Sequence, residues 1–596
     1  MKPSPRNITR RSKAKSRKSK AKSRKAKAKS RKAKSRKSKV KSRKAKSRKR
    51  LGTKKCDAKW TTLEHNGVIF PESYEQKDIP LLYGKSSHGG KKNGGKQSIL
   101  LNGEAEEAAM FYSKVLHLDH STNPTFRKNF FADWKKLLPK NTEIKSLDDC
   151  DFTNFQEYIA EDAADRKQYT KSKKSRVKEI KERAELKYTT AKVDGKKQSV
   201  GNFRVEPPGL FLGRGKHPKA GKIKKRIHPE DIILNIGDDA KIPTPPKGHD
   251  WGEVIHDHCA VWLASWKENI NNDTKYVWLG QDADFKRDSD QAKFELAREL
   301  RNNFDKIRKQ NMDNILTVGA DSDKLRQLAV ALYLIDTLVL RVGNEKGSDE
   351  ADTVGVASLR VEHIHLLSNN MVELDFLGKD SVRFQKKFKV PVQIYAALKE
   401  FTDSKNKTTS LFELINAKDI NIYLKDLMPG LTAKVFRTAN ASNLYQDELN
   451  KIKYKKDEKT AILINRMNKA NAEVAIMCNH KKKVSRGFAP GIDKINDQIK
   501  IAKDKLKELK AKDNQTSAIK KQQKTKTDKI RELKAKLETK KHMKEVATGT
   551  AKINYIDPRI TVAFAKKHDI ELGKVFNKVQ QKKFKWAEDV GPRWTF

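Results

Sequence analysis

Cysteine is scarce: four residues in 596, Cys56, Cys150, Cys259 and Cys478, none of them in a C-x-x-C pair. Such wide spacing suggests neither a disulfide framework nor a zinc site, and four reduced thiols are expected. Long apolar runs are also missing. The longest, Leu328 to Leu340, is interrupted by Asp336 and Thr337 and falls short of the ~20 residues of a membrane span. With no apolar segment near Met1 either, an intracellular protein without membrane contact is expected. There is no G-x-x-x-x-G-K-[ST] loop, G-x-G-x-x-G turn, H-E-x-x-H pair or metal-spaced Cys/His cluster, so neither ATP nor a required metal is expected as cofactor. Acid, finally, is short: 75 Asp plus Glu face 131 Lys plus Arg, a net charge of +56. An excess that large calls for a polyanionic partner.

Much of that base sits in a tail. The first 50 residues hold 27 Lys or Arg and no acid, in a degenerate repeat seen at Lys27 to Lys32 and again at Lys44 to Lys49. With little to bury and like charges in repulsion, residues 1–57 are expected to be disordered alone. They read as a nuclear-targeting and sequence-blind phosphate-binding segment, whose serines could be phosphorylated and which could bind other proteins or chromatin; a plain solubility tail is the alternative. The other 546 residues keep 104 bases against 75 acids, an excess of +29.

The length allows roughly three or four globular units. Aromatic residues begin at Trp60, and six of the eight tryptophans precede residue 290, so this half should own a core. Gly84 to Lys96 reads as a surface loop, Glu104 to Leu116 and the highly charged Asp165 to Lys187 as helices, and Val261 to Trp266 and Lys275 to Gly280 as strands. From Phe294 to His480 the chain reads as mainly helical. Leu325 to Leu340 forms one helix running into Arg341-Val342-Gly343-Asn344, with Gly343 suited to stop it. Val372 to Phe376 and Val382/Phe384 alternate as strands about Gly378-Lys379-Asp380, a hairpin with lysine at its tip. Leu463, Met467, Ala470, Val474 and Met477 share a helical stripe, with His480 just beyond. Ile492, Ile495, Ile499, Ala502, Leu506 and Leu509 keep a 3, 4 spacing that resumes at Ile530, Leu533 and Leu537, and Asp513 to Ser517 breaks it. That is the pattern of an antiparallel coiled-coil hairpin.

Metal-free phosphoryl chemistry needs forked cations on the nonbridging oxygens, a proton donor for the leaving alkoxide and a side-chain nucleophile. Arg341, Lys379, Arg437, His480 and Tyr555 could supply these, but composition cannot single them out from so many bases. Order and context do. Arg341-Val-Gly-Asn-Glu-Lys346, Phe376-Leu-Gly-Lys-Asp380, Leu431-Thr-Ala-Lys-Val-Phe-Arg-Thr438, Ala475-Ile-Met-Cys-Asn-His480 and Asn554-Tyr-Ile-Asp-Pro-Arg559 resemble the ordered signatures of the eukaryotic type IB DNA topoisomerases. The resemblance runs from about Trp60 to Phe596 and includes Val205 to Phe211 and Phe584 to Ala587.

The resemblance implies an α+β multidomain fold, a two-lobed DNA clamp. Residues 58–286 would form a mixed α/β cap, 287–484 a mainly helical, tyrosine-recombinase-like catalytic lobe, 485–548 an antiparallel coiled-coil linker, and 549–596 a small helical C-terminal domain with the nucleophile. It implies relaxation of supercoiled double-stranded DNA by a monomer, without ATP or metal. Tyr555 would form a 3′-phosphotyrosyl link, Arg341 and Arg437 would hold the nonbridging oxygens, Lys379 would protonate the 5′ oxygen, and His480 would donate to the same phosphate. The dipole of the preceding helix is expected to favour its imidazolium form. DNA contacts implied are Arg214, Lys275, Tyr276, Lys346, Thr353, Asp380, Asn421, Thr432, Ala433, Lys434 and Asn554, mostly to phosphate and sugar.

Taken singly, each residue has a plainer role: Arg341 paired with Glu345, Lys379 in solvent, His480 as a helix cap. Two other functions also fit parts of the chain, a tyrosine recombinase, although Lys434-x-x-Arg437 stands where recombinases usually carry His-x-x-Arg, and a chromatin-compacting protein working through its tail. Departures from the family pattern are the short repetitive tail, an apparent insertion at Gly84 to Gly95 and a slightly shortened Lys346 to Asp349. The nucleus is the expected location, or a host nucleus, virus factory or virion if the source is a large virus.

Overall fold

A computed structural model describes residues 57–84, 96–319, 322–347, 349–454 and 458–596. The expected tail and nearly all of the expected loop at Gly84 to Lys96 lie outside the described residues. The chain divides into two compact units, one made of residues 1–61 and 257–261 and the other of everything else.

In the first unit, Trp60 stacks on His258 with ring centroids 4.2 Å apart. The Trp60 Nε1–H donates to the Ala260 carbonyl at 2.7 Å and the Lys59 N–H to that of His258 at 2.8 Å. Cys259 is disulfide-bonded, whereas Cys150 and Cys478 are free. The expectation of four reduced thiols therefore fails at Cys259.

In the second unit, the described residues of 62–256 and 262–279 form small sheets around helices. One antiparallel sheet joins Leu63–His65, Thr190–Val193 and Lys196–Ser199; a mixed sheet orders Glu253–Ile255, Ile233–Asn235, Trp262–Lys267 and Thr274–Trp278, its first pair parallel. Gly103–Ser113 and Pro124–Trp134 are helices capped by Asn102 and Asn123. They bury Tyr112, Phe126, Phe130 and Trp134, with Phe155 of a third helix, at 1% exposure or less. Each such ring contributes roughly 1.5–3 kcal/mol, and Trp134 satisfies its Nε1–H on the Ala105 carbonyl at 2.9 Å. The single helix expected over Asp165 to Lys187 is instead two, Thr153–Gln168 and Lys171–Glu185. Tyr169 turns to ψ 124° and the Thr170 side chain caps the second, because the charged stretch has no apolar stripe to hold one straight axis.

The described residues of 284–477 supply seven α-helices and one three-stranded antiparallel sheet. Ser322–Leu338 is nearly all buried along its second half, and it stops before Gly343, against expectation. Val339 takes a left-handed φ of 53°, and its carbonyl accepts from the Arg437 Nη1. Gly343, at φ 76°, serves a different purpose: a Cβ there would lie 2.5 Å from the Gly355 Cα. Met371–Gly378 and Val382–Lys389 pair antiparallel in continuous register from Met371 with Lys389 to Gly378 with Val382, so the expected hairpin is present with Lys379 at its turn.

Thr460–Met477 presents Leu463, Met467, Ala470 and Val474 to the core. After it, Phe488–Lys510 and Ser517–His542 lie side by side, with Ile495, Ile499 and Leu533 forming their seam. The arm closes at its base: Lys481 bridges Val546 antiparallel, the Lys482 N–H donates to the Glu545 carbonyl and the Ala547 N–H to that of His480, both at 2.8 Å. The helices Thr548–Asn554 and Pro558–Lys567 follow, and Ile556, Ile560 and Val562 join the same core as the 284–477 segment. Among the described residues, no helix is long and apolar enough to cross a membrane.

Candidate active site

A cavity of about 1410 Å³ opens where the helix end at Leu338, the hairpin tip, the Ala433–Asn450 helix and Tyr555 converge. Arg341, Lys379, Arg437 and Tyr555 all line it, although 214 positions of sequence separate the first from the last. His480 is not in the lining but stands behind it, 5.7 Å from the Tyr555 ring at an interplanar angle of 28°.

Arg437 is the centre of this arrangement. Only 4% exposed, its guanidinium lies 4.9 Å from the Tyr555 ring centroid. It donates from Nη1 to the Val339 carbonyl and from Nη2 to the Cys478 carbonyl at 3.2 Å. Nη2 also faces the His480 Nε2 at 3.4 Å. Arginine is only a donor, so Nε2 presents its lone pair and the ring proton belongs on Nδ1, which has no partner. Among the described residues no carboxylate pairs with Arg341 or Arg437. Their charge is left for an anion in the cavity, and the expected plain pairing of Arg341 with Glu345 does not form.

Burial and uncompensated charge together set the state of His480. Burial, then Arg437 and Arg341, push its imidazole down to about 4, so it is neutral near pH 7. The imidazolium expected from the helix dipole is a local inference overturned first by burial and then by two guanidiniums brought from distant sequence. Neighbouring Cys478 is pushed upward by its burial, which keeps it a thiol.

Lys379 is exposed at the hairpin turn. Asp380 and Ser381 beside it take left-handed φ values of 66° and 56°. The turn is tied across the cavity: Arg214 pairs with Asp380 at 2.6 Å, and the Ser381 Oγ donates to the Arg214 carbonyl at 3.3 Å. Both partners of that ion pair are largely exposed, so it contributes little to stability.

Of the other expected DNA contacts, Lys346, Thr353, Ala433 and Lys434 line the cavity together with Arg214 and Asp380. Lys346 pairs with Glu350 at 2.9 Å. Five others are not in the lining. Asn421 accepts the Ala433 N–H at 3.2 Å, so it caps the helix that carries Arg437; Thr432 is the extended residue before that helix. Lys275 and Tyr276 lie on the Thr274–Trp278 strand, where the tyrosine packs between Trp262 and Trp278. Asn554 also stands outside, exposed and bonded to the Thr550 carbonyl at 3.1 Å.

Sequence reasoning missed the groups that hold the tyrosine's backbone. Ser442 donates to the Tyr555 carbonyl and accepts the Asp557 N–H, both at 3.0 Å. Arg559 forks onto Asp557 and pairs with Glu295, its guanidinium lying over Trp594 and Trp586 at 4.7 and 5.3 Å. Lys552 donates to the Val575 carbonyl at 2.5 Å, and burial pushes its ammonium down to about 8. A serine inside a helix carries no signal in a single sequence. Lys552 and Arg559 were hidden among the other bases.

A cationic cavity with a tyrosine in its wall and a lysine on a turn at its edge has the parts of a phosphoryl-transfer site that uses a side-chain nucleophile. Three family profiles match consecutive segments: the DNA-binding fragment of eukaryotic DNA topoisomerase I over residues 58–279, its catalytic core over 282–513, and the C-terminal topoisomerase domain over 527–596. The chain belongs to the eukaryotic DNA topoisomerase I family. It is 42% identical over 561 residues to DNA topoisomerase 1 alpha of Arabidopsis thaliana, covering 90% of this chain and 59% of that protein. It is 42% identical over 558 residues to DNA topoisomerase 1 of Caenorhabditis elegans, covering 90% and 68%, and 41% identical over 558 residues to that of Homo sapiens, covering 89% and 71%. The chain thus spans about three fifths of the length of the plant relative.

Proposed function

We propose that this chain relaxes supercoiled double-stranded DNA as a type IB topoisomerase, through a transient single-strand break. The observation that carries the reading is that Arg341, Lys379, Arg437 and Tyr555 line one cavity with His480 against the tyrosine ring.

The phenolic oxygen of Tyr555 bonds to a backbone phosphorus as the P–O5′ bond breaks, leaving a 3′-phosphotyrosyl link and a 5′-hydroxyl. Lys379, on its mobile stem at the hairpin turn, gives the 5′ oxygen its proton. Arg341 and Arg437 take the charge that builds on the nonbridging oxygens, where one preorganised donor is worth roughly 3–4 kcal/mol. Arginine suits this because it stays charged and forked. His480 enters as a neutral ring and becomes a better donor once the phosphate's charge opposes the guanidiniums. The free strand swivels, and the reverse attack reseals it. Because the phosphotyrosyl ester keeps the energy of the broken bond, neither ATP nor a required metal takes part.

In this reading residues 58–286 are a cap, 287–484 a catalytic lobe, 485–548 a linker arm and 549–596 the tyrosine-bearing domain, the first two closing around the duplex as a clamp. The protein acts as a monomer in the nucleus, and the tail at residues 1–57 holds DNA in a salt-sensitive way or binds other proteins or chromatin. Arg214, Lys275, Tyr276, Lys346, Thr353, Asp380, Asn421, Thr432, Ala433, Lys434 and Asn554 serve the duplex, with Asn421 acting through the helix it caps.

Plasmid relaxation in EDTA without ATP is the test. Wild-type protein should relax the plasmid, and Tyr555→Phe should bind DNA yet neither relax nor covalently capture it. Failure of the wild-type protein, or full activity of Tyr555→Phe, overturns the reading.

A further inference from the structure

Tyr555 sits at a joint. It ends the Thr548–Asn554 helix with φ −124° and ψ −30°, and the next helix begins at Pro558. Across the joint the Tyr555 and Ile556 N–H groups share one acceptor, the Ala551 carbonyl, at 2.9 and 3.0 Å. Beyond it, Asp557 caps the following helix and is gripped by Arg559. Two residues therefore remain to set the direction of the tyrosine, and both their flanks are held by one side chain. The Ser442 Oγ, with no exposed surface, donates to the Tyr555 carbonyl and accepts from the Asp557 N–H, each at 3.0 Å.

The origin of that hydroxyl matters. Ser442 and Arg437 belong to the same helix, Ala433–Asn450. That helix meets Tyr555 twice, with the Arg437 guanidinium 4.9 Å from the ring centroid and with the Ser442 hydroxyl on the backbone. A rigid helix rises about 1.5 Å per residue, so the two contacts form a fixed gauge between the cation and the nucleophile. A serine can do this because its hydroxyl both donates and accepts. Alanine could do neither.

We infer that Ser442 is a positioning residue for the transesterification, setting the attack direction of Tyr555 against the phosphate held by Arg437. It touches neither the phenolic oxygen nor the cavity, so it acts through the backbone. The inference rests on the topoisomerase reading above.

The test uses the full chain and a duplex nicked just past the cleavage point, from which the short released strand diffuses away, so that covalent capture is a single turnover. With Ser442→Ala, the capture rate at saturating DNA should fall about 10- to 100-fold, the loss typical of a misplaced reacting group. The dissociation constant measured in the Tyr555→Phe background and the fraction of protein that finally captures DNA should stay within about twofold, as expected when ground-state binding is untouched. A wild-type capture rate overturns the inference. So does a loss confined to DNA affinity or to the active fraction, since that marks general support of the fold. If wild-type protein captures no DNA, the topoisomerase reading itself has failed, an outcome distinct from either.

Discussion

The Arg437 guanidinium covers the face of the Tyr555 ring at 4.9 Å from its centroid while facing the His480 Nε2 at 3.4 Å. One buried cation thus packs on the tyrosine ring and, with burial, suppresses charge on the imidazole beside it. Replacing it separates these effects. Arg437→Lys keeps a positive charge but loses the fork that reaches the Val339 and Cys478 carbonyls. Relaxation should fall roughly 10²- to 10³-fold, with duplex binding nearly unchanged. A loss under tenfold in time-course assays would show that point charge suffices.

His480 offers a prediction in pH. Its imidazole is pushed down to about 4 from an ordinary 6.5, so between those values the unfolded chain takes up a proton that the native protein refuses. Its contribution to stability is fully present above pH 6.5 and is lost as pH falls toward 4. A phosphate facing Arg341 and Arg437 should raise the imidazole by about 1–3 units. Histidine NMR titration of Tyr555→Phe, free and bound to duplex, checks both the low starting value and the rise.

Lys552 works in the opposite range of pH. Burial pushes its ammonium down to about 8 from 10.5, so between pH 8 and 10.5 the unfolded state binds the extra proton and stability rises with pH. Lys552→Met should flatten the pH dependence of the denaturation midpoint in that window. It should also remove the bond to the Val575 carbonyl that ties the tyrosine's helix to the C-terminal segment.

Gly343 gives a steric prediction. At φ 76°, with a Cβ position 2.5 Å from the Gly355 Cα, alanine fails both for backbone conformation and for space. Gly343→Ala should cost about 1–3 kcal/mol of stability. It should also slow relaxation more than a matched surface substitution, because the displaced segment begins at Arg341.

The arm can be removed at its base. Excising residues 487–543 and joining the ends by a short Gly/Ser loop leaves the Lys481–Val546 bridge and the bond from Ala547 to the His480 carbonyl. Covalent capture should proceed at close to the wild-type rate. Strand rotation in single-molecule relaxation should quicken if the arm's lysines brake the turning duplex, and an unchanged rotation rate would dismiss the brake.

Elements whose signal repeats locally could be read from the sequence. The Lys379 hairpin shows in the period-two alternation of Val372 to Phe384, and the arm in the spacing from Ile492 to Leu509. What was misread depended on distant partners. The end of the helix after Leu338 is set by Val339, whose carbonyl accepts from Arg437 a hundred residues later, so the nearby glycine misled. His480 looked cationic beside its own helix and is neutral where the fold buries it beside Arg437 and Arg341. Ser442 could not be seen at all, since its importance lies in bonds to Tyr555 and Asp557 that only the folded chain brings within reach.

The closed base of the arm has a consequence for how this chain can vary. Residues 481–482 return to 545–547 before the tyrosine's helix begins, and the returning helix is tied near its end to Thr460–Met477 by Lys469–Glu538 and His542–Glu473, so only the far end of the arm is a side branch whose length is decoupled from the distance between His480 and Tyr555. Whole heptads could be added to or taken from the far ends of both helices without shifting the site. Its length is thus free to follow whatever the arm meets outside the cavity.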